Sequence, residues 1–185
     1  MSTYDLKVLR NLLDASPTAR HVVHEAAKIL ESHGFTNWDG NGLPSAGHLS
    51  RGYFCRAGSI VAWSGIEKDA RFSLRMVGAH TDSPGLTLKP GPSASSFGFG
   101  LLNVEVYGGP LLNSWLDRDL ELAGVVMTTS GESVLFRSSE PVARISQLAI
   151  HLDRDVNDKG LVLDRHQHLR PTWTTAESAD ARELL

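Results

Sequence analysis

The chain opens on a helical rhythm and then changes period. Leu6, Leu9, Leu12 and Leu13 fall on one face at 3.6-residue spacing. Ser16-Pro17-Thr18 interrupts the stripe, and either Ser16 or Thr18 can cap a following helix. Val22, Val23, Ala26, Ala27, Ile29 and Leu30 resume it, and Gly34 stands where a helix C-terminal cap is needed. Residues 4–33 therefore predict helix, broken once. From residue 35 the pattern becomes that of short strands. Tyr53-Phe54-Cys55-Arg56 and Ser59-Ile60-Val61-Ala62-Trp63 flank Ala57-Gly58 as a hairpin would. Gly65 to Ala70 reads as a polar turn. Phe72 to Ala79 reads as a strand whose apolar end suits a sheet covered on both faces. The passage Gly91 to Gly100 is rich in turn residues and marks a candidate boundary. Beyond it the pattern predicts strands at Leu101–Val106, Leu122–Thr128, Glu132–Phe136 and Ile145–Leu152, with Gly131 in a hairpin turn.

Composition narrows the function classes. Of 185 residues, 41% are hydrophobic and 21% charged, with a net charge of -3, as in ordinary globular proteins. No basic surplus exists to follow a phosphate backbone, so nucleic acid is not an expected partner. No apolar run approaches the roughly eighteen residues that span a bilayer. The N-terminus lacks the charged-then-apolar order of a signal peptide, and the expected location is the cytoplasm. A lone cysteine, Cys55, offers neither an internal disulfide nor a thiolate metal site and reads as a small buried hydrophobe. No G-x-S-x-G elbow, P-loop, G-x-G-x-x-G or H-E-x-x-H motif occurs.

Three constellations can carry chemistry. The first is His80-Thr81-Asp82, where an apolar run ends in small residues. On extended chain, side chains two apart share a side, so Asp82 can accept the second ring N–H of His80 and orient it as a metal ligand. The same spacing also serves a strand-end turn in which Asp82 bonds local backbone. The second is Asp117-Arg118-Asp119 beside Trp115. Carboxylate capture by Arg118, metal ligation by the aspartates and an internal ion pair that fixes a turn are all open. The third is His151 within Leu148 to Leu152, where an apolar setting suits a hydrogen-bonded core histidine. His21 and His24 read as surface residues. His166 and His168 read as a solvated loop.

Four blocks in order resemble the M18 metallopeptidases, the aspartyl aminopeptidase family, especially its bacterial members. They are Leu12 to Thr18 with the helix up to Gly34-Phe35; Val77 to Pro84 ending in Lys89-Pro90; Tyr107-Gly108-Gly109 with Trp115 to Leu120; and Leu148 to Leu152. Gly85 stands where many members carry cysteine, and Asn113-Ser114 replaces the more usual His-Thr. The resemblance implies an α/β fold: residues 1–90 as the N-terminal part of a metallopeptidase catalytic domain, and residues 91–185 as part of an inserted β-rich dimerisation domain. It implies a zinc-dependent aminopeptidase that removes N-terminal residues from peptides, with acidic first residues the preference the family suggests. It also implies two Zn²⁺ per complete active site and a homo-oligomer formed through the β-rich domain. By the same resemblance His80 is a zinc ligand and Asp82 a catalytic carboxylate. His151 is a metal-site or substrate-binding residue reaching a neighbouring subunit's active site, and Asp117-Arg118-Asp119 is a structural clamp. Family members run to roughly twice this length or more. The remaining ligands and the glutamate base are accordingly expected beyond Leu185, with this chain unable to turn over peptides alone. The alternative is a truncated, non-catalytic assembly subunit of an M18-like complex.

Overall fold

The computed structural model describes residues 6–42, 45, 50–65, 75–176 and 180–184. It is mixed α/β and divides into two compact units, Met1–Ser83 and Pro84–Leu185.

In the first unit the broken helical stripe becomes α1 (Leu6–Asp14) and α2 (Ala19–Ser32). Thr18 caps α2: its hydroxyl accepts the His21 backbone N–H at 3.4 Å and lies 2.8 Å from the His21 ring. At the other end Gly34, at φ 79°, turns the chain into the left-handed region. Its N–H then reaches the Glu31 carbonyl, and that of Phe35 the Leu30 carbonyl, which closes the last turn. Strands β1 (Thr36–Asn37), β2 (Arg51–Arg56) and β3 (Ser59–Ser64) follow as a sheet in that order, β1 parallel to β2 and β2 antiparallel to β3. The two-residue period sorts the faces. Tyr53 turns toward α2, is 2% exposed and donates its hydroxyl to Glu31 at 2.5 Å. Phe54 and Trp63 turn the other way, each meets the Trp38 ring edge-on, and the two are tilted against one another.

The segment read as a strand from Phe72 to Ala79 is different. Residues 66–74 lie outside the described set, as does most of the expected turn before it. From Arg75 to His80 the chain is irregular and solvent-facing, with Met76 83% and Val77 99% exposed. Among the described residues no neighbouring strand supplies a ladder, and apolar composition alone does not make a strand without one.

The second unit is built on a five-stranded sheet of order β4-β5-β10-β9-β6. Its strands are β4 (Gly85–Ser96), β5 (Phe99–Tyr107), β6 (Asp119–Leu120), β9 (Ala143–Arg144) and β10 (Thr172–Thr174). A separate pair, β7 (Ala123–Met127) and β8 (Ser133–Arg137), forms the hairpin expected around Gly131. A short helix, α3 (Val156–Lys159), lies in the connection to β10. The turn-rich passage Gly91 to Gly100 is not loop. Its first part, Gly91 to Ser96, continues β4, and the boundary drawn after Pro90 falls inside that strand. The prolines explain why it reads as turn: Pro90 and Pro92 have no N–H to donate, and the ladder bulges there, jumping from the Leu88–Val104 pair to Ser93–Leu102. Phe97 and Gly98, both at positive φ, make the tight hairpin into β5. Alternation along β5 buries Leu102 and Val104 against Ala181, with Leu86, Leu88, Ala143, Trp173 and Leu184 packed around them. The strand expected at Ile145–Leu152 is likewise absent. Ile145, 2% exposed, makes one bridge to Leu116, and the chain then leaves the sheet and turns at Ile150–Leu152.

Two outcomes follow. A Cβ at Gly100 would run into the Thr174 methyl, with the Trp173 indole nitrogen and the Ala176 carbonyl at 3.1 and 3.2 Å. Gly100→Ala should therefore cost roughly 2–3 kcal/mol in denaturant unfolding, whereas Gly124→Ala, with open space around it, should cost far less. Burial, and then the hydrogen bond to Glu31, push the Tyr53 phenol from 10.0 up to about 12. The folded chain holds this proton more tightly than the unfolded one. The stabilisation is thus complete below about pH 10 and declines as pH rises toward 12. Tyrosinate absorbance should show a late phase near pH 12 that Tyr53→Phe removes; a late phase surviving that substitution contradicts the assignment.

Candidate metal centre

His80 and Asp82 are placed by a backbone that pairs with no strand among the described residues. Thr81, between them, does the holding. Its hydroxyl donates to the Gly58 carbonyl at 2.6 Å, tying the segment to the β2–β3 turn. That turn rests on α2, since a Cβ at Gly58 would lie 3.1 Å from the Ala19 side chain. Thr81 is half-buried at a bend in the chain, and His80 and Asp82 on either side of it are exposed. His80 Nδ1 stands 3.1 Å from Asp82 Oδ1, and the His80 side chain is 92% exposed. With the proton on Nδ1 and donated to the carboxylate, the lone pair sits on Nε2 and faces solvent, the state a metal ligand requires.

The other candidates belong to the second unit. His151 is exposed at the tip of the Ile150–Leu152 turn, where Leu152 and Asp153 N–H groups both reach the Ala149 carbonyl. The core-strand setting read from its apolar neighbours is therefore absent: Leu148, Ile150 and Leu152 are 59%, 45% and 74% exposed. Asp117 and Asp119 form a clamp, but the cation is not Arg118. Arg144, on β9, bonds Asp119 Oδ1 at 2.9 Å and the Asp117 carbonyl at 2.9 Å, and approaches Asp117 Oδ1 at 3.7 Å. Asp117, at φ 52°, also accepts the Gln147 N–H through Oδ1. Sequence reading missed both Thr81 as an anchor and Arg144 as the clamp's cation. Each partner lies some twenty residues or more away in the chain, and no local spacing signals it. His166 and His168 sit in a loop organised by Asp164. Its carboxylate accepts the Gln167 and His166 N–H groups, which hold it below the usual carboxylate range. His21, half-buried, is engaged at the α2 cap.

The Peptidase_M18 family model, described as aminopeptidase I zinc metalloprotease (M18), matches residues 12–184. The chain belongs to the M18 family. An M18 relative, a probable M18 family aminopeptidase 2 of Streptomyces coelicolor, is 44% identical over 181 residues, covering 96% of this chain and 41% of that protein. A probable aspartyl aminopeptidase of Ricinus communis is 36% identical over 186 residues, covering 96% of this chain and 38% of that protein. Among solved structures, the M18 aminopeptidase of Thermotoga maritima superposes with a TM-score of 0.77 at 25% identity, over 97% of this chain and 40% of that one. The chain thus spans about two fifths of the length of the M18 proteins it matches.

For a zinc metalloprotease family, the donor set here fits in part. An exposed imidazole with its carboxylate partner suits one coordination position. Among the described residues, however, no group of three His, Cys, Asp or Glu side chains converges to hold a metal ion. A catalytic zinc ordinarily takes three protein ligands. No helix among the described residues is long and apolar enough to cross a membrane.

Proposed function

We propose that this chain contributes the His80–Asp82 element to the active site of a zinc-dependent M18 aminopeptidase that removes N-terminal residues, acidic ones preferred, from peptides. The observation that carries the proposal is the 3.1 Å His80–Asp82 pair with the ring open to solvent. Family membership and the aspartyl aminopeptidase relative support it. His80 Nε2 is assigned as a zinc ligand. Asp82 is assigned as the carboxylate that fixes its tautomer and raises its basicity. Zinc, two ions per complete site, supplies an acidified water and polarises the scissile carbonyl. His151 is assigned to substrate or metal contact in the active site of a neighbouring subunit, and its position at an exposed turn tip supports a role outside its own unit. Residues 91–185 are assigned to a β-rich dimerisation domain, in a homo-oligomer. The two-stranded β7–β8 sheet supports this, because Val125, Met127 and Val134 are 41%, 63% and 48% exposed on a ladder too small to be stable uncovered. The cytoplasmic location expected from sequence belongs to the same proposal.

Equilibrium dialysis of the purified chain tests the ligand assignment. Zinc binding should be weak, and His80→Ala should abolish what there is. Asp82→Asn should lower affinity roughly 10- to 100-fold. Equal zinc uptake by wild type and His80→Ala contradicts the assignment. A segment exchange tests the activity. Residues 12–184, replacing the matching stretch of the Streptomyces coelicolor relative, should yield a protein that hydrolyses an aspartyl arylamide faster than a leucyl one. In that protein His80→Ala should lower kcat/KM by about 10³-fold or more, and His151→Phe by a smaller factor of about 10 to 100. A folded exchange protein that is fully active with Ala at position 80 overturns the proposal.

A further inference from the structure

The second unit contains a cavity of about 510 Å³ that the metal element does not use. Its walls include Pro84, Pro110, Leu111, Trp115, Arg118 and Asp119. Two glycines shape it. A Cβ on Gly85 would touch the Trp115 ring at 3.8 Å, and one on Gly108, at φ 71°, would touch Pro84 at 3.4 Å. The volume lies within the roughly 300–1,000 Å³ of small-ligand sites.

The charges make this cavity selective. Arg144 takes the hydrogen bonds of Asp119 and of the Asp117 carbonyl, and among the described residues neither aspartate bonds Arg118. Among the described residues no hydrogen bond or ion pair engages the Arg118 side chain. The Ser114 hydroxyl is spent on the Leu111 carbonyl. The lining therefore presents the unpaired Arg118 guanidinium and the Arg144-paired Asp119 beside an aromatic ring and a proline-rich apolar wall. A guanidinium fork matches the two oxygens of a carboxylate. A dianion such as phosphate would want a second cation, and among the described residues the lining holds no lysine and no second arginine.

We infer that this cavity binds the carboxylate of a short peptide. Arg118 takes both oxygens, and Trp115, Pro84 and Leu111 pack against the adjoining carbon atoms. Arg118 is a binding residue here, not part of the clamp beside it. The inference does not depend on zinc.

The test is titration of the ¹⁵N-labelled chain in EDTA, following the Trp115 indole N–H resonance, assigned with Trp115→Phe. Four probes are used: N-acetyl-alanyl-alanine, whose carboxylate is terminal; N-acetyl-aspartyl-amide, whose carboxylate is on the side chain; N-acetyl-alanyl-alanyl-amide, which has none; and inorganic phosphate. At least one acid should shift the resonance saturably, and whichever acid does so identifies the source of the carboxylate. The neutral amide should not. Arg118→Gln, with the rest of its spectrum unchanged, should bind the acid at least about tenfold more weakly. Should Arg118→Gln fail to fold, Arg118→Lys decides, with an expected loss of about threefold or more from breaking the fork. No saturable shift with either acid overturns the inference. So does equal binding of the neutral amide, tighter binding of phosphate, or unchanged affinity in the arginine variant. Because zinc is absent throughout, failure here leaves the metallopeptidase proposal standing, and failure of that proposal leaves this result standing.

Discussion

The hydrogen bond from Thr81 Oγ1 to the Gly58 carbonyl anchors the segment that carries His80 and Asp82. The segment that carries His80 has no ladder among the described residues, so its direction rests on side-chain and turn contacts. Thr81 is held half-buried at a bend, and its exposed neighbours His80 and Asp82 meet across that bend at 3.1 Å. The anchor is only as firm as the hairpin turn beneath it. That turn is set by Ala57 at φ 55° and by the close approach of Gly58 to Ala19. The N-terminus of α2, capped by Thr18, therefore underlies the presentation of the imidazole.

The second unit uses a comparable economy. Two prolines force a bulge into β4, and the strand still completes its pairing with β5 on either side. Arg144 fastens β9 to the Asp117–Asp119 corner with a fork of donors, all at half-exposed positions. Ion pairs at such exposure contribute little to stability, about 0–1 kcal/mol each. What the clamp fixes is direction: it holds the corner and leaves Arg118, between the two aspartates, pointing to a cavity with Trp115. Three adjacent charged residues thus divide into two jobs.

Elements with a strong period were legible in the sequence. α1, α2, the β2–β3 hairpin, β5 and the β7–β8 hairpin all emerge close to where spacing predicts them, because each carries its own periodicity and turn residues. The failures share a cause. Gly91 to Ser96 looks like loop because proline and glycine dominate it, yet pairing with β5 overrides that local preference. Ile145 to Leu152 looks like a strand because it is apolar, yet only Ile145 finds a partner. The His80–Asp82 contact agrees with the two-residue spacing, but a bend at Thr81 rather than extended chain brings the pair together. The Thr81 anchor and the Arg144 clamp were not legible, because long-range partners leave no mark on local pattern. The family resemblance was carried by the same short blocks that hold the candidate residues, and the match over residues 12–184 bears it out.

The central claim is that Asp82 fixes His80 with its proton on Nδ1 and its lone pair on Nε2. Long-range ¹H–¹⁵N correlation spectroscopy of the His80 ring reads that state directly. The account predicts that the neutral ring carries its proton on Nδ1 with Nε2 bare, that the Nε2 resonance moves when zinc is added, and that the tautomer bias is lost in Asp82→Asn. A proton on Nε2, or a ring whose nitrogens ignore zinc, would contradict it.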